Sequence, residues 1–161
     1  MYIAVVGPGD DATPAEQDLA EQVGYVLATS GAIVLTGGLA GVMAAAAAGC
    51  ARGSGISVGL LPGDRRSAGS AELTVCLPTG LGELRNGLLV RGADGLIAIG
   101  GSWGTLSEIA LARRAGVPVL GIGGWRLADR ELVTETAMSA GDAVRRILEL
   151  AAANREPGTG R

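Results

Sequence analysis

The stretch from Asp94 to Glu108, Asp-Gly-Leu-Ile-Ala-Ile-Gly-Gly-Ser-Trp-Gly-Thr-Leu-Ser-Glu, constrains the fold more than any other part of the chain. Gly95–Ile99 is a short, continuous apolar run, the pattern of a strand buried on both faces. The glycines that follow end it, and a helix is predicted from Thr105 to Ala115 with a carboxylate near its start. A buried strand that turns through glycines into a helix is the repeating unit of α/β folds. The same turn makes a phosphate cradle: glycines admit an anion close to the backbone, and the unpaired N–H groups of the helix start face it with the positive end of the helix dipole behind them. Glu108 places a negative charge beside a site built for negative charge. It therefore needs a cationic partner or a chemical task.

The alternation continues along the whole chain. Ile3–Val6 reads as a first strand. Thr13-Pro14-Ala15-Glu16 then opens a helix to Thr29, with a threonine cap, proline at the first helical position and glutamate at the third. Ala32–Leu35 is the second strand, and Gly37-Gly38-Leu39-Ala40-Gly41 leads into a helix from Val42 to Arg52 that is apolar almost all round, so it is expected in an interface or against the sheet. Met43 on that helix reads as core. Ile56–Leu61, Leu73–Leu77 and Val117–Ile122 complete six strands, Pro118 marking a strand start or an edge. A helix from Gly82 to Arg91 and a last one capped by Ser139, with Val144, Ile147, Leu148 and Ala151 on one stripe, complete the pattern. Short apolar strands separated by helices predict one Rossmann-like domain over 1–153, a doubly wound, mainly parallel sheet with helices on both faces. Residues 154–161 are expected to form a disordered tail.

The absences exclude more than the abundances include. The 161 residues contain no histidine, which removes Ser-His-Asp, Cys-His and His-zinc mechanisms. No lysine is present either, so pyridoxal phosphate has no anchor. A formal net charge of −3, with two tryptophans, two tyrosines and no phenylalanine, argues against a nucleic-acid partner. Nothing in the sequence reads as a membrane span or an export signal, and Cys50 and Cys76 have no metal-ligand spacing. A cytoplasmic protein with reduced cysteines and no metal is the expectation. A small anionic ligand held by arginine and backbone N–H groups fits what remains.

In a doubly wound sheet the strand-to-helix turns all lie at the carboxyl edge, where ligands bind at the switch in strand order. Topology thus brings Gly37, Gly38 and Gly41 to the same edge as Arg85, Asn86, Gly101, Ser102, Trp103, Gly104, Thr105 and Glu108. Arg85 can face both a phosphate and Glu108, either as working residues or as a structural ion pair. An indole at Trp103 is costly to expose unless a ligand ring or a second subunit covers it.

These motifs resemble the Rossmann-like superfamily that contains the Lonely Guy phosphoribohydrolases, enzymes of cytokinin activation whose relatives are often labelled lysine decarboxylases. In those enzymes an Arg-Lys pair precedes Pro-Gly-Gly-x-Gly-Thr-x-x-Glu, and the resemblance lays their arginine, threonine and glutamate on Arg85, Thr105 and Glu108. Here Asn86 stands in place of the lysine, and Gly100-Gly101-Ser102 in place of Pro-Gly-Gly. The Arg-Asn form is similar instead to a bacterial branch of nucleotide-binding-like proteins, which the molybdenum cofactor carrier proteins also resemble. Three readings follow. The first is a carrier that binds a nucleotide or a pterin-type cofactor such as molybdenum cofactor through its phosphate, with no cofactor required for chemistry. The second is a nucleoside 5′-monophosphate phosphoribohydrolase with Arg85 and Glu108 as catalytic residues. The third is a structural homo-oligomer with a vestigial site. Asn86 removes a cation that the enzymes carry, which puts the carrier ahead. The resemblance also implies a homodimer with the site near its interface.

Overall fold

The apolar runs of the sequence become strands and its capped segments become helices. The computed structural model describes residues 1–124, 133 and 135–155. Its elements are β1 (Tyr2–Val6), α1 (Pro14–Thr29), β2 (Ile33–Thr36), α2 (Val42–Arg52), β3 (Ser57–Leu61), β4 (Val75–Pro78), α3 (Arg85–Gly92), β5 (Gly95–Ile99), α4 (Trp103–Ala115), β6 (Val119–Ile122), β7 (Glu135–Thr136) and α5 (Ala140–Arg155). They form one seven-stranded sheet in the order β4-β3-β2-β1-β5-β6-β7, every pairing parallel. The order reverses between β1 and β5, so the crevice of the doubly wound fold opens where Val6 and Ile99 end their strands.

Alternation within the central strands decides the layers. Ile3, Val5, Ile97 and Ile99 point to one face, where Val23 and Leu27 of α1, Val42 and Ala46 of α2 and Val144 and Ile147 of α5 cover them. Ala4, Val6, Leu96 and Ala98 point to the other, against Leu89 and Val90 of α3 and Ile109 and Ala112 of α4. Thr13 and Glu16 form the predicted capping box: Glu16 Oε2 accepts from the Thr13 N–H (2.8 Å), and the Glu16 N–H donates to Thr13 Oγ1 (3.3 Å). Such a cap contributes about 1 kcal/mol.

The apolar α2 packs its buried side chains against the sheet, one of the two places expected for it. It crosses α1 with backbone against backbone: a Cβ on Gly49 would overlap the Glu21 carbonyl oxygen, and one on Gly24 the Ala46 carbonyl oxygen. The small Ala and Gly side chains are what the close crossing requires.

Several boundaries differ from expectation for local reasons. α4 starts at Trp103, two residues earlier than predicted, because the Ser102 hydroxyl accepts from the Thr105 N–H (3.2 Å) and caps the helix. The segment Gly82–Leu84 is a turn of 3-10 helix, and α3 proper begins at Arg85. The seventh strand, Glu135–Thr136, has no apolar run to announce it; it pairs with β6, and Arg146 of α5 holds Glu135 through Nε (2.6 Å to Oε2) and Nη2. Pro118 precedes β6, which lies inside the sheet and not at its edge. The last helix continues through Asn154 and Arg155, where Asn154 Nδ2 donates to the Gly116 carbonyl (3.0 Å) and Arg155 Nε meets Asp94 Oδ1 (3.4 Å). These two residues therefore belong to α5 and not to a tail; 156–161 lie outside the described residues. Cys50 is buried and Cys76 partly so, both as free thiols. Among the described residues no helix is long and apolar enough to cross a membrane.

Candidate functional site

At the carboxyl edge the turns after β1, β2 and β5 are pressed together, and glycine is what permits it. Gly41 has φ +64°, and a Cβ there would overlap the Gly9 carbonyl oxygen and stand 2.5 Å from that of Pro8. The Val42 N–H donates to the same Pro8 carbonyl (3.0 Å). Gly38, at φ +80°, sits against Leu61 and Gly59 of β3, and its N–H donates to the buried Thr36 Oγ1 (3.0 Å). Gly38 and Gly41 thus bring backbone against backbone, and the Gly38 amide is taken up by Thr36.

Gly37 has a different neighbour. The point where its Cβ would stand is overlapped by Nη2 of Arg85 and lies 2.6 Å from the Met43 sulfur. Arg85 comes from the start of α3, crosses the edge and is only 8% exposed. Its Nη1 donates to both Asn86 Oδ1 and Glu108 Oε1, the latter at 3.1 Å. Nε is enclosed with no hydrogen-bond partner. A buried donor left unpaired costs about 1–3 kcal/mol. On a guanidinium, Nε and Nη2 form the side that grips an oxyanion with two parallel hydrogen bonds.

Asn86 is committed at both ends. While its Oδ1 accepts from Arg85, its Nδ2 donates to Ser107 Oγ (3.1 Å), which in turn donates to the Gly104 carbonyl (2.8 Å). The side chain thus ties Arg85 to the first turns of α4. Thr105 is buried with its hydroxyl 2.9 Å from Ser102 Oγ, so it belongs to the helix cap. Gly101, Ser102, Trp103 and Gly104 line the start of α4, with Trp103 76% exposed. At Gly104 a Cβ would meet only Ser102 Oγ, at 3.7 Å, so its small size is not needed by the fold.

Glu108 is buried with Arg85 as its ion-pair partner. Desolvation pushes its carboxyl up to about 7, against the opposing pull of the Arg85 charge and hydrogen bond. The pair is therefore poised near neutrality: below pH 7 the site carries the positive charge of Arg85, above it the charges cancel.

The profile of the SLOG cluster4 family matches residues 1–153. The chain belongs to the SLOG cluster4 family. The structure is similar to the molybdenum cofactor binding protein of the phototrophic bacterium Rippkaea orientalis, with 34% identity, a TM-score of 0.87, and 92% of this chain and 96% of that one covered. It is also similar to the molybdenum cofactor carrier protein of Chlamydomonas reinhardtii, with 33% identity, a TM-score of 0.84, and coverage of 94% and 98%. An uncharacterized protein of Archaeoglobus fulgidus is 35% identical over 116 residues, 72% of this chain and 76% of that protein. Membership of the SLOG cluster4 family agrees with the superfamily resemblance of the glycine and arginine motifs.

Two side chains outside the expected set stand at this edge of the SLOG cluster4 chain. Met43, taken for core, is half-buried beside Arg85 over Gly37. Its place two residues after Gly41, in the first turn of a helix that starts at the edge, is the signal that could have found it. Ser107 carries the link from Asn86 to α4, and only its neighbourhood to Glu108 hints at that in the sequence.

Proposed function

We propose that the chain is a carrier that binds a phosphate-bearing small molecule, a nucleotide or a pterin-type cofactor such as molybdenum cofactor, at the carboxyl edge of its sheet. One observation carries this reading: the buried Arg85 guanidinium leaves Nε unpaired while its Nη2 lies against the Gly37 turn. In this reading Arg85 grips the phosphate, Gly37 gives the guanidinium room, and the backbone at Gly101, Ser102, Trp103 and Gly104 adds the positive end of α4. Molybdenum cofactor would be cargo here, and its phosphate fits the same donors. The likeness to a molybdenum cofactor binding protein of Rippkaea orientalis and a molybdenum cofactor carrier protein of Chlamydomonas reinhardtii supports a carrier.

The test is thermal unfolding against a panel of nucleotides, their nucleosides and free base assays on the same mixtures. Phosphate-bearing ligands at about one hundred times their Kd should add about 2.7 kcal/mol, while the matching nucleosides add much less. Equal effects of both would overturn phosphate recognition. Gly104→Val should abolish the gain yet leave the ligand-free midpoint near that of wild type, because the added carbons meet the ligand's space and not the protein.

A second reading, hydrolysis of the N-glycosidic bond of nucleoside 5′-monophosphates, is favoured by the poised Glu108 carboxyl, which can exchange a proton at neutral pH. Release of free base from a monophosphate decides for it. Binding without release decides for the carrier, and neither result leaves a structural scaffold.

Self-association belongs to the same proposal. Leu84 (80% exposed) and Leu88 on the α3 side, with Trp103 and Leu111 on α4, leave an apolar surface on two packed helices beside the site. Sedimentation should show a homodimer or larger assembly; a species of 16.0 kDa at micromolar concentration would rule it out.

A further inference from the structure

Arg85 divides its donors unequally. Nη1 serves both Asn86 Oδ1 and Glu108 Oε1, whereas Nε serves nothing and Nη2 lies against Gly37. Glu108 is held by that single bond from Nη1, and its Oε2 makes no hydrogen bond among the described residues. The elements packed against α4 are α3, β5 and β6. Strands β5 and β6 carry no titratable residue, and from α3 the charged group at Glu108 is Arg85. Arg113 and Arg114 lie at the far end of α4 itself. The carboxylate thus depends on one shared cation for its charge.

We infer that binding of an oxyanion at Arg85 is coupled to the uptake of one proton by Glu108. The inference rests on the carrier reading of the preceding section. An oxyanion that takes the Nε and Nη2 side of the guanidinium brings a second negative charge to a cation that already serves Glu108. Because both anions are screened from water, the cheaper state is the one in which the carboxyl is neutral. The proton comes from solvent and settles on Glu108. No bond in the ligand changes. Burial already holds the carboxyl near neutrality, so the uptake falls in the range where a cell could use it. Loading is favoured on the acid side of neutrality and release on the alkaline side.

Sulfate is a suitable probe, since it gains and loses no proton between pH 5 and 9, and any uptake must then be the protein's. Calorimetric titration of sulfate into the full chain at pH 8 in Tris and in Hepes should give apparent heats that differ by the buffers' ionisation heats multiplied by a proton number near one. At pH 5.5 the difference between buffers should vanish, because the carboxyl is already protonated. Sulfate affinity should fall by about tenfold for each pH unit above the carboxyl's midpoint. Glu108→Gln should bind sulfate at pH 8 more tightly than wild type and show no buffer dependence. Equal heats in both buffers, with sulfate bound, overturn the coupling and leave the oxyanion site standing. Failure of wild type to bind sulfate at pH 5.5 overturns the oxyanion site, and with it the coupling. Should Glu108→Gln fail to fold, the wild-type pH series decides alone: a flat affinity is contrary to the inference.

Discussion

Arg85→Met is expected to weaken the fold by about 1–2 kcal/mol at pH 5 and by about 3–5 kcal/mol at pH 9. The first figure is the bond from Nη1 to Asn86 Oδ1, which is lost at every pH. The second adds the cost of a buried carboxylate without its cation. Its sign follows from proton linkage. Glu108 has a folded-state value raised from 4.5 to about 7, so the stability it contributes is complete below 4.5 and is lost as pH rises through 7. Removing Arg85 removes what opposes the rise, and the folded-state value climbs further. Wild type stops losing stability above 7, while the variant continues to lose it at about 1.4 kcal/mol per pH unit. Urea unfolding at pH 5, 7 and 9 measures the widening gap. Arg85→Met combined with Glu108→Leu should close most of it, because the orphaned charge is then gone. A destabilisation that is the same at all three pH values would mean that Arg85 does not hold Glu108.

Gly49→Val should be more damaging still, with a loss of at least about 3 kcal/mol out of a total that for ordinary domains is about 5–15 kcal/mol. At this position α2 lies directly on the backbone of α1, and the first carbon of any side chain would overlap the Glu21 carbonyl oxygen. No rotamer relieves an overlap at Cβ, so the helices must separate, and Val23, Leu27, Val42 and Ala46 lose their packing together. The unfolding midpoint in urea, or the soluble yield if the midpoint vanishes, reads the effect. Gly104→Val is the internal comparison, since the same change made where space is open should leave the midpoint nearly in place. Similar losses at both positions would show that the cost comes from valine in a helix and not from the crossing.

These cases show what the sequence could and could not tell. The strand pattern was legible because burial on both faces leaves continuous apolar runs, as in Gly95–Ile99, and the α1 cap because its chemistry is local to Thr13 and Glu16. The meeting of Arg85 and Glu108 was legible through topology, since both follow strands of one parallel sheet. The work of individual glycines was not. A glycine that faces a carbonyl, such as Gly41, and one that faces a guanidinium, such as Gly37, look alike in a sequence. An apolar helix facing the sheet and another helix of the same chain likewise looks like one facing a second subunit, so the sequence leaves both places open for α2. The Glu135–Thr136 strand is two polar residues long and is held by Arg146, a contact that periodicity does not report. The tie from Asn86 to α4 is not legible either, because the motif gives residue types in a row, whereas Ser107 lies on another helix.

The central position of β1, with β2 on one side and β5 on the other, also has a consequence for how the chain is made. Synthesis delivers β1 to β4 first, a half-sheet whose inner edge at β1 stays open until Gly95–Ile99 emerges to close it. Gly37 and Arg85 are by then already present, but the start of α4 and Glu108 follow only after β5. A nascent chain therefore holds the cation before it holds the carboxyl that restrains it, and the cradle is complete only when the sheet has lost its open inner edge.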